Sequence, residues 1–252
     1  MARGTEYTFG DSALASERLA LVHRVFAAPS ATLLGLVPGE PAVVVDLGCG
    51  PGHTTALLHD RFPDARILGV ERSVAFATEA RQRVPAAEIV VGDALTAELP
   101  IADLVYCRLL LAHLPDIAAA LTRWRARLST TGVLVLDEVE SIESDDAVFN
   151  RYEEVVWAMV ASRGADVSAG PRIAAALDGD PAVVHDAVVR RPVAPADAAA
   201  MFAMNLETWR HDEWVRANVA SAELDALANA LRTPAERGAI TWHLRQTIVG
   251  PT

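Results

Sequence analysis

Six residues carry most of the chemistry legible in this chain, and each stands at or just past the end of an apolar run. The run Val43-Val44-Val45 stops at Asp46 and enters Leu47-Gly48-Cys49-Gly50-Pro51-Gly52-His53. Glycines at alternate positions leave almost no side-chain bulk, so main chain can approach a ligand closely. Nineteen residues past Gly52, the run Leu68-Gly69-Val70 ends at Glu71. A carboxylate at such a strand end can accept two hydrogen bonds from a ribose diol, which suits an adenosine-type ligand. A third run, Val90-Val91-Gly92, closes on Asp93 and Ala94 in the same manner. A dinucleotide fingerprint places its third glycine three positions after the second. Here Gly52 comes two after Gly50 and position 53 is histidine.

Those residues need a scaffold that brings strand ends together. Strands are predicted at 42–47, 66–71, 87–92, 102–107 and 132–139, with helices near 52–61, 74–83 and 115–128. Such alternation gives a mostly parallel, doubly wound α/β sheet with helices on both faces. Ahead of it, residues 12–28 have the spacing of an amphipathic helix, which Pro29 should break, with a short second helix running to about residue 37. After Glu140 the rhythm changes. Residues 144–163 read as a long helix, 164–181 as a loop, 182–193 as a strand, 195–232 as wholly helical and 241–249 as a final strand. That makes about seven strands with helical cap insertions. We expect one domain over 1–252: an N-terminal helical lid (1–40), a ligand-binding core (41–140) and core completion with the cap (141–252).

Composition narrows the chemistry. The chain has 252 residues, 52% of them hydrophobic, and a net charge of −11. All 22 basic residues are arginine. Without lysine there is no Schiff base, no P-loop lysine and no lysine general base. An acidic chain with scattered arginines argues against nucleic acid as a partner. The two cysteines, Cys49 and Cys107, suggest neither a disulfide framework nor a zinc site, and no metal is expected. The first eleven residues hold no apolar signal core, and no run is long enough to span a membrane, so a cytoplasmic protein is expected.

The segment Asp46-Leu47-Gly48-Cys49-Gly50-Pro51-Gly52 resembles the first motif, D-x-G-x-G-x-G, of class I S-adenosylmethionine (SAM)-dependent methyltransferases, here of the small-molecule type found in actinomycetes. The resemblance covers residues 40–140. It includes Asp103-Leu104-Val105-Tyr106-Cys107-Arg108 and Leu111-Ala112-His113-Leu114-Pro115-Asp116, which look like the family's fourth-strand segment. It implies a Rossmann-like fold, SAM as cofactor and S-adenosylhomocysteine (SAH) as product. It also implies cofactor contacts from Asp46, Gly48, Gly50, Gly52, Glu71, Arg72, Asp93, Ala94 and the backbone around Arg108. Asp93 would receive the adenine amino group, and Arg18 would pair with the amino-acid carboxylate. Tyr7 and Phe9 would fold over the cofactor as a lid.

The acceptor side is less legible. His113 is the catalytic candidate, as a general base. Phe9, Glu138, Tyr152, Trp157, Met201, Met204 and Trp209 are the candidate acceptor contacts. The aromatic and methionine residues suit a flat, hydrophobic wall, such as an aromatic or indolic metabolite would meet. The reading is therefore methyl transfer to oxygen, nitrogen or electron-rich carbon of a small molecule, with a homodimer allowed. Two rivals stay open: a SAM-binding protein that does not methylate, and an NAD(P) oxidoreductase.

Overall fold

In the computed structural model, which describes residues 12–164, 166–233 and 236–251, seven strands form one sheet in the order β3-β2-β1-β4-β5-β7-β6. They are β1 (Val43–Leu47), β2 (Arg66–Glu71), β3 (Glu88–Val91), β4 (Ala102–Arg108), β5 (Leu128–Ser144), β6 (Val183–Val193) and β7 (Ile240–Val249). β1 to β5 pair in parallel, and β7 runs antiparallel between β5 and β6. The chain order reverses beside β1, where β1 lies between β2 and β4. In such sheets the crevice at that switch point is where ligands bind.

The nine helices among the described residues are α1 (Ala13–Leu34), α2 (His53–Arg61), α3 (Val74–Arg83), α4 (Ile117–Arg125), α5 (Ala147–Ala161), α6 (Gly170–Ala176), α7 (Pro195–Trp209), α8 (Glu213–Asn218) and α9 (Ser221–Arg232). Among the described residues, five helix starts carry side-chain caps, from Ser12, Ser73, Asp116, Asp146 and Asp212. Asp146 accepts from the N–H groups of Val148 and Phe149, and Asp212 from those of Trp214 and Val215. The cap at Asp212 ends the expected continuous helix over 195–232, which the structure divides into α7, α8 and α9. Within 164–181, where a loop is expected, Pro171 sits in the first turn of α6 and Gly170 lets that helix lie against β5.

Pro29 does not break the first helix. α1 runs through it, because the bond that proline removes is replaced from outside. The carbonyl of Val25, four residues earlier, accepts instead from Nε of Arg191 on β6 at 2.9 Å. The Pro29 carbonyl itself accepts from Gln246 on β7 at 3.1 Å. α1 is thereby bolted to the sheet at its proline.

β5 is much longer than 132–139 because its far end continues against β7, with a register shift around Glu140. Helices α5, α7, α8 and α9 pack on this extension and on α1. Their common core includes Phe26, Phe149, Tyr152, Phe202, Trp209 and Trp242. The cap therefore stands at the carboxyl end of β5, beside the crevice.

Candidate functional site

All three turn glycines take positive φ: 67° at Gly48, 55° at Gly50 and 86° at Gly52. They do so for different reasons. A side chain at Gly52 would meet the backbone of Ala80 on α3 at 2.8 Å, so this glycine serves helix packing. At Gly50 the nearest atom is Leu19 Cδ1 at 3.8 Å, so room is left between the turn and α1. Beneath the turn Asp46 is buried, and one of its oxygens accepts from the hydroxyls of Thr54 and Thr55, each at 2.7 Å. Burial outweighs those bonds and pushes the Asp46 carboxyl up to about 6. Glu71 is half-buried at the end of β2. One of its oxygens accepts from Gly50 N–H at 2.9 Å, the other from Ser73 N–H at 2.7 Å. Asp93 accepts from Leu95 N–H at 2.7 Å, and Ala94 is buried with its carbonyl on the Trp124 indole. The strand ends thus place Asp46, Glu71 and Asp93 in a row along adjacent strands.

Arg108 ends β4 on the face that meets α1. Its guanidinium lies 3.3 Å from Ser30 Oγ and 3.5 Å from His23 Nδ1. The next residue, Leu109, has φ of 54°, the positive-φ non-glycine residue among the described residues. Such a backbone at a ligand crevice is a mark of an imposed conformation. His113 follows in a short 3-10 turn, Leu111–His113, and is half-buried. Burial, then the charges of Arg18 and Arg72, push its imidazole down to about 4, so it is neutral at pH 7. Arg18 on α1 is only 6% exposed and bears on both His113 and the cap residue Tyr152.

The acceptor candidates divide. Tyr152 and Phe202 stack with ring centroids 4.0 Å apart, and Tyr152 lies 5.6 Å from Trp209. Tyr152, Trp209 and Met201 are buried in the cap core, and Met204 is half-buried against it. The rings expected to form a flat wall are largely spent on one another. Trp157 is corrected: it lies 37% exposed on the solvent face of α5 with Asn150 and Glu154, since helical phase turns 149, 152, 156 and 160 inward and 157 out. Glu138 is corrected as a direct acceptor contact. It is fully buried, and one of its oxygens accepts from the backbone N–H groups of Leu110 and Leu111. Tyr7 and Phe9 lie outside the described residues.

Some of the site gives no sequence signal. His23 and His53 stack at 5.1 Å beside Arg108, both pushed down to about 4 chiefly by burial. They are 30 positions apart; His53 directly follows the glycine motif, and His23 belongs to none. Leu109 could be suspected only from its place after a strand-end arginine. An open groove of about 980 Å³ runs between β2–β3 and α4, with Leu68, Val90 and Leu99 among its walls, and holds none of the site residues. Among the described residues no group of three or more His, Cys, Asp or Glu could hold a metal ion. No helix among them is long and apolar enough to cross a membrane.

The arrangement fits the cofactor that the resemblance implies. The space over Gly50 admits a ligand backbone, and Glu71 stands beside it to take a diol. A pyrophosphate fits poorly, because the Gly50 N–H is already given to Glu71 and a carboxylate faces the place the phosphates would need.

A model of a methyltransferase domain matches residues 44–132. The chain is 36% identical over 214 residues to a trans-aconitate 2-methyltransferase of Methylobacterium radiotolerans, covering 79% of this chain and 76% of that protein. It is 32% identical over 218 residues to the trans-aconitate 2-methyltransferase of an Azoarcus strain, covering 78% and 76%. In fold it is similar to the geranyl diphosphate C-methyltransferase of Streptomyces coelicolor, solved with SAH, at a TM-score of 0.54 and 16% identity, covering 92% of this chain and 82% of that one.

Proposed function

Because this chain belongs to the class I SAM-dependent methyltransferases, we propose that it methylates a small organic acid on a carboxylate oxygen. SAM is the cofactor. The observation that carries the acceptor class is electrostatic: after burial, the positive charges of Arg18 on α1 and Arg72 just after β2 both lower the His113 pKa. In a chain of net charge −11, two positive charges that act on one imidazole are of the kind that draw an anionic substrate, although Arg72 is shared with the Glu71 carboxylate. The trans-aconitate relatives point to the same class. The cap rings, packed on each other, argue for a compact acid over a large planar acceptor.

The chemistry then asks little of a base. Bound here, SAM supplies an electrophilic methyl on a sulfonium. An acceptor carboxylate is ionised at pH 7 and has no proton to lose, so its oxygen forms the new bond to the methyl carbon as the carbon–sulfur bond breaks. Anion and cation become neutral ester and thioether. Charge is lost on the way to the transition state, so a water-poor pocket favours the reaction. We assign the chain's residues to that task. Glu71, Asp93 and the glycine turn hold the cofactor, Arg18 and Arg72 hold the acid, and the cap excludes water and aligns the pair. His113, neutral at pH 7, serves as a polar wall of the pocket in place of a general base.

The deciding experiment measures SAH formation over a panel of mono-, di- and tricarboxylic acids, phenols, indoles and amines, with product mass and alkaline lability of the product. Base-labile methyl esters of a di- or tricarboxylic acid are expected. Turnover confined to phenols, indoles or amines sinks the carboxylate reading.

A further inference from the structure

We propose that Glu138 is a positioning residue for the cofactor crevice: one oxygen of its buried carboxyl holds the turn after β4, and through Leu110 fixes the wall beside Gly48. The inference rests on the family membership, which locates the cofactor at the glycine turn, and is independent of the acceptor.

Glu138 lies on β5, one strand away from the glycine turn's own strand neighbour β4. It is 0% exposed. Its Oε1 accepts from Leu110 N–H at 2.7 Å and Leu111 N–H at 2.8 Å, with Cys107 Sγ at 3.7 Å. The preceding residue, Leu109, carries the φ of 54° and donates its own N–H to the Asp137 carbonyl at 3.2 Å. Three successive backbone N–H groups are therefore anchored on two successive residues of β5. That is what a disfavoured backbone conformation needs in order to persist. The turn in its turn abuts the cofactor motif: the two Cδ atoms of Leu110 lie 3.1 Å from where a side chain on Gly48 would begin. A shift of Leu110 changes the shape of the crevice at Gly48.

The other oxygen, Oε2, is buried and makes no hydrogen bond among the described residues. A buried charge with one oxygen unpartnered costs more than a buried neutral acid, whose hydroxyl can take the Oε2 place and leave Oε1 as a carbonyl-like acceptor. Burial pushes the Glu138 carboxyl up to about 8, in keeping with the neutral form. A glutamine keeps the uncharged acceptor at the Oε1 place that Leu110 and Leu111 use, with its amide nitrogen at the place where Oε2 has no partner among the described residues. An alanine removes the acceptor and strands two buried N–H groups, and an aspartate, one methylene shorter, withdraws it from both.

The test uses the full chain as wild type, Glu138→Gln, Glu138→Asp, Glu138→Ala and, as a control, Val133→Ala earlier on the same strand. Melting temperature and SAH affinity by calorimetry are read for each. Glu138→Gln is expected within about threefold of wild type, and the Asp and Ala variants at least about tenfold weaker for SAH, because the stranded donors release the turn. Val133→Ala should lower the melting temperature and leave SAH affinity unchanged. If the Ala variant does not fold, the Asp variant decides. Wild-type affinity in a folded Asp or Ala variant overturns the proposal, as does a Gln variant as weak as Asp. Absence of SAH binding by the wild type is a separate failure, that of the cofactor's placement itself.

Discussion

The backbone N–H of Gly50 donates to a carboxylate oxygen of Glu71 across 2.9 Å, tying the tip of the glycine turn to the end of β2. The two halves of the cofactor site are thus one mechanical unit. Glu71→Ala removes the diol acceptor and the turn's anchor together. Hydrogen bonds to a charged group are worth about 1.5–3 kcal/mol each, so SAH affinity should fall about ten- to hundredfold with the fold retained. Glu71→Gln keeps one good acceptor and should fall between. Calorimetric titration with SAH measures both, and unchanged affinity in the alanine variant removes Glu71 from the site.

Arg191 and Pro29 should be energetically linked. In Arg191→Met the Val25 carbonyl loses its donor, and a buried acceptor left unpaired costs about 1–3 kcal/mol. In the double variant Arg191→Met, Pro29→Ala, the alanine N–H can restore the ordinary helical bond to Val25. Denaturant unfolding of the single and double variants should therefore be non-additive, with the proline replacement recovering most of the loss. Additive effects would show that Arg191 does not stand in for the missing N–H.

His23 gives a pH dependence with a definite sign. Burial first, then Arg108 and Arg83, lower its pKa from 6.5 to about 4 in the folded chain. Between those values the unfolded chain binds a proton that the folded one does not, so this group's contribution to stability is present above about pH 6.5 and lost as pH falls towards 4. His23→Gln has no such titration. The stability of wild type relative to His23→Gln should decline as pH is lowered from 7 to about 4.5. A constant difference over that window would mean that His23 titrates normally.

The sheet was readable because its signals are local. Val43-Val44-Val45-Asp46 and Leu68-Gly69-Val70-Glu71 each announce a buried strand that stops at a carboxylate, and the glycine spacing between them is a single continuous motif. The residues that escaped depend on partners far along the chain. Nothing near Pro29 says that Arg191 will repair its helix. Nothing near Glu138 says that its acid turns back to hold Leu110 instead of facing an acceptor. Aromatic residues at helical spacing in 149–160 and 201–214 mark a packed cap equally well as a ligand wall. The 4.0 Å stack of Tyr152 on Phe202, with Trp209 5.6 Å from Tyr152, favours the packed cap.

Trp209 and Trp157 provide that contrast in a single experiment. Trp209 is 1% exposed in the ring cluster, whereas Trp157 faces solvent. Emptying a buried tryptophan site costs about 3–5 kcal/mol, so Trp209→Ala should lose much of its stability and bind SAH and acceptor poorly together. Trp157→Ala should stay within about 0.5 kcal/mol of wild type, as for an ordinary surface change. Normal stability with a selective loss of acceptor turnover in Trp209→Ala would return that ring to the pocket wall.

Arg18 and Arg72 bear on the same imidazole from different elements, and their roles can be separated by what each variant loses. Arg18 is buried on α1, so Arg18→Met keeps the side chain's bulk and deletes its charge. If it holds the acid, the variant should raise KM for a di- or tricarboxylic acceptor by about tenfold or more, the worth of one charge-assisted pair, and leave SAH affinity within about threefold. Arg72 is exposed, and its attraction is screened by salt. Arg72→Met should have a smaller effect, and one that shrinks as ionic strength rises. A monocarboxylic acceptor offers a single anion, so it should feel the second arginine less than a polycarboxylic one. The reverse pattern, SAH affinity lost in Arg18→Met with acceptor KM unchanged, would assign that guanidinium to the cofactor's own carboxylate and leave the acid without its principal cation.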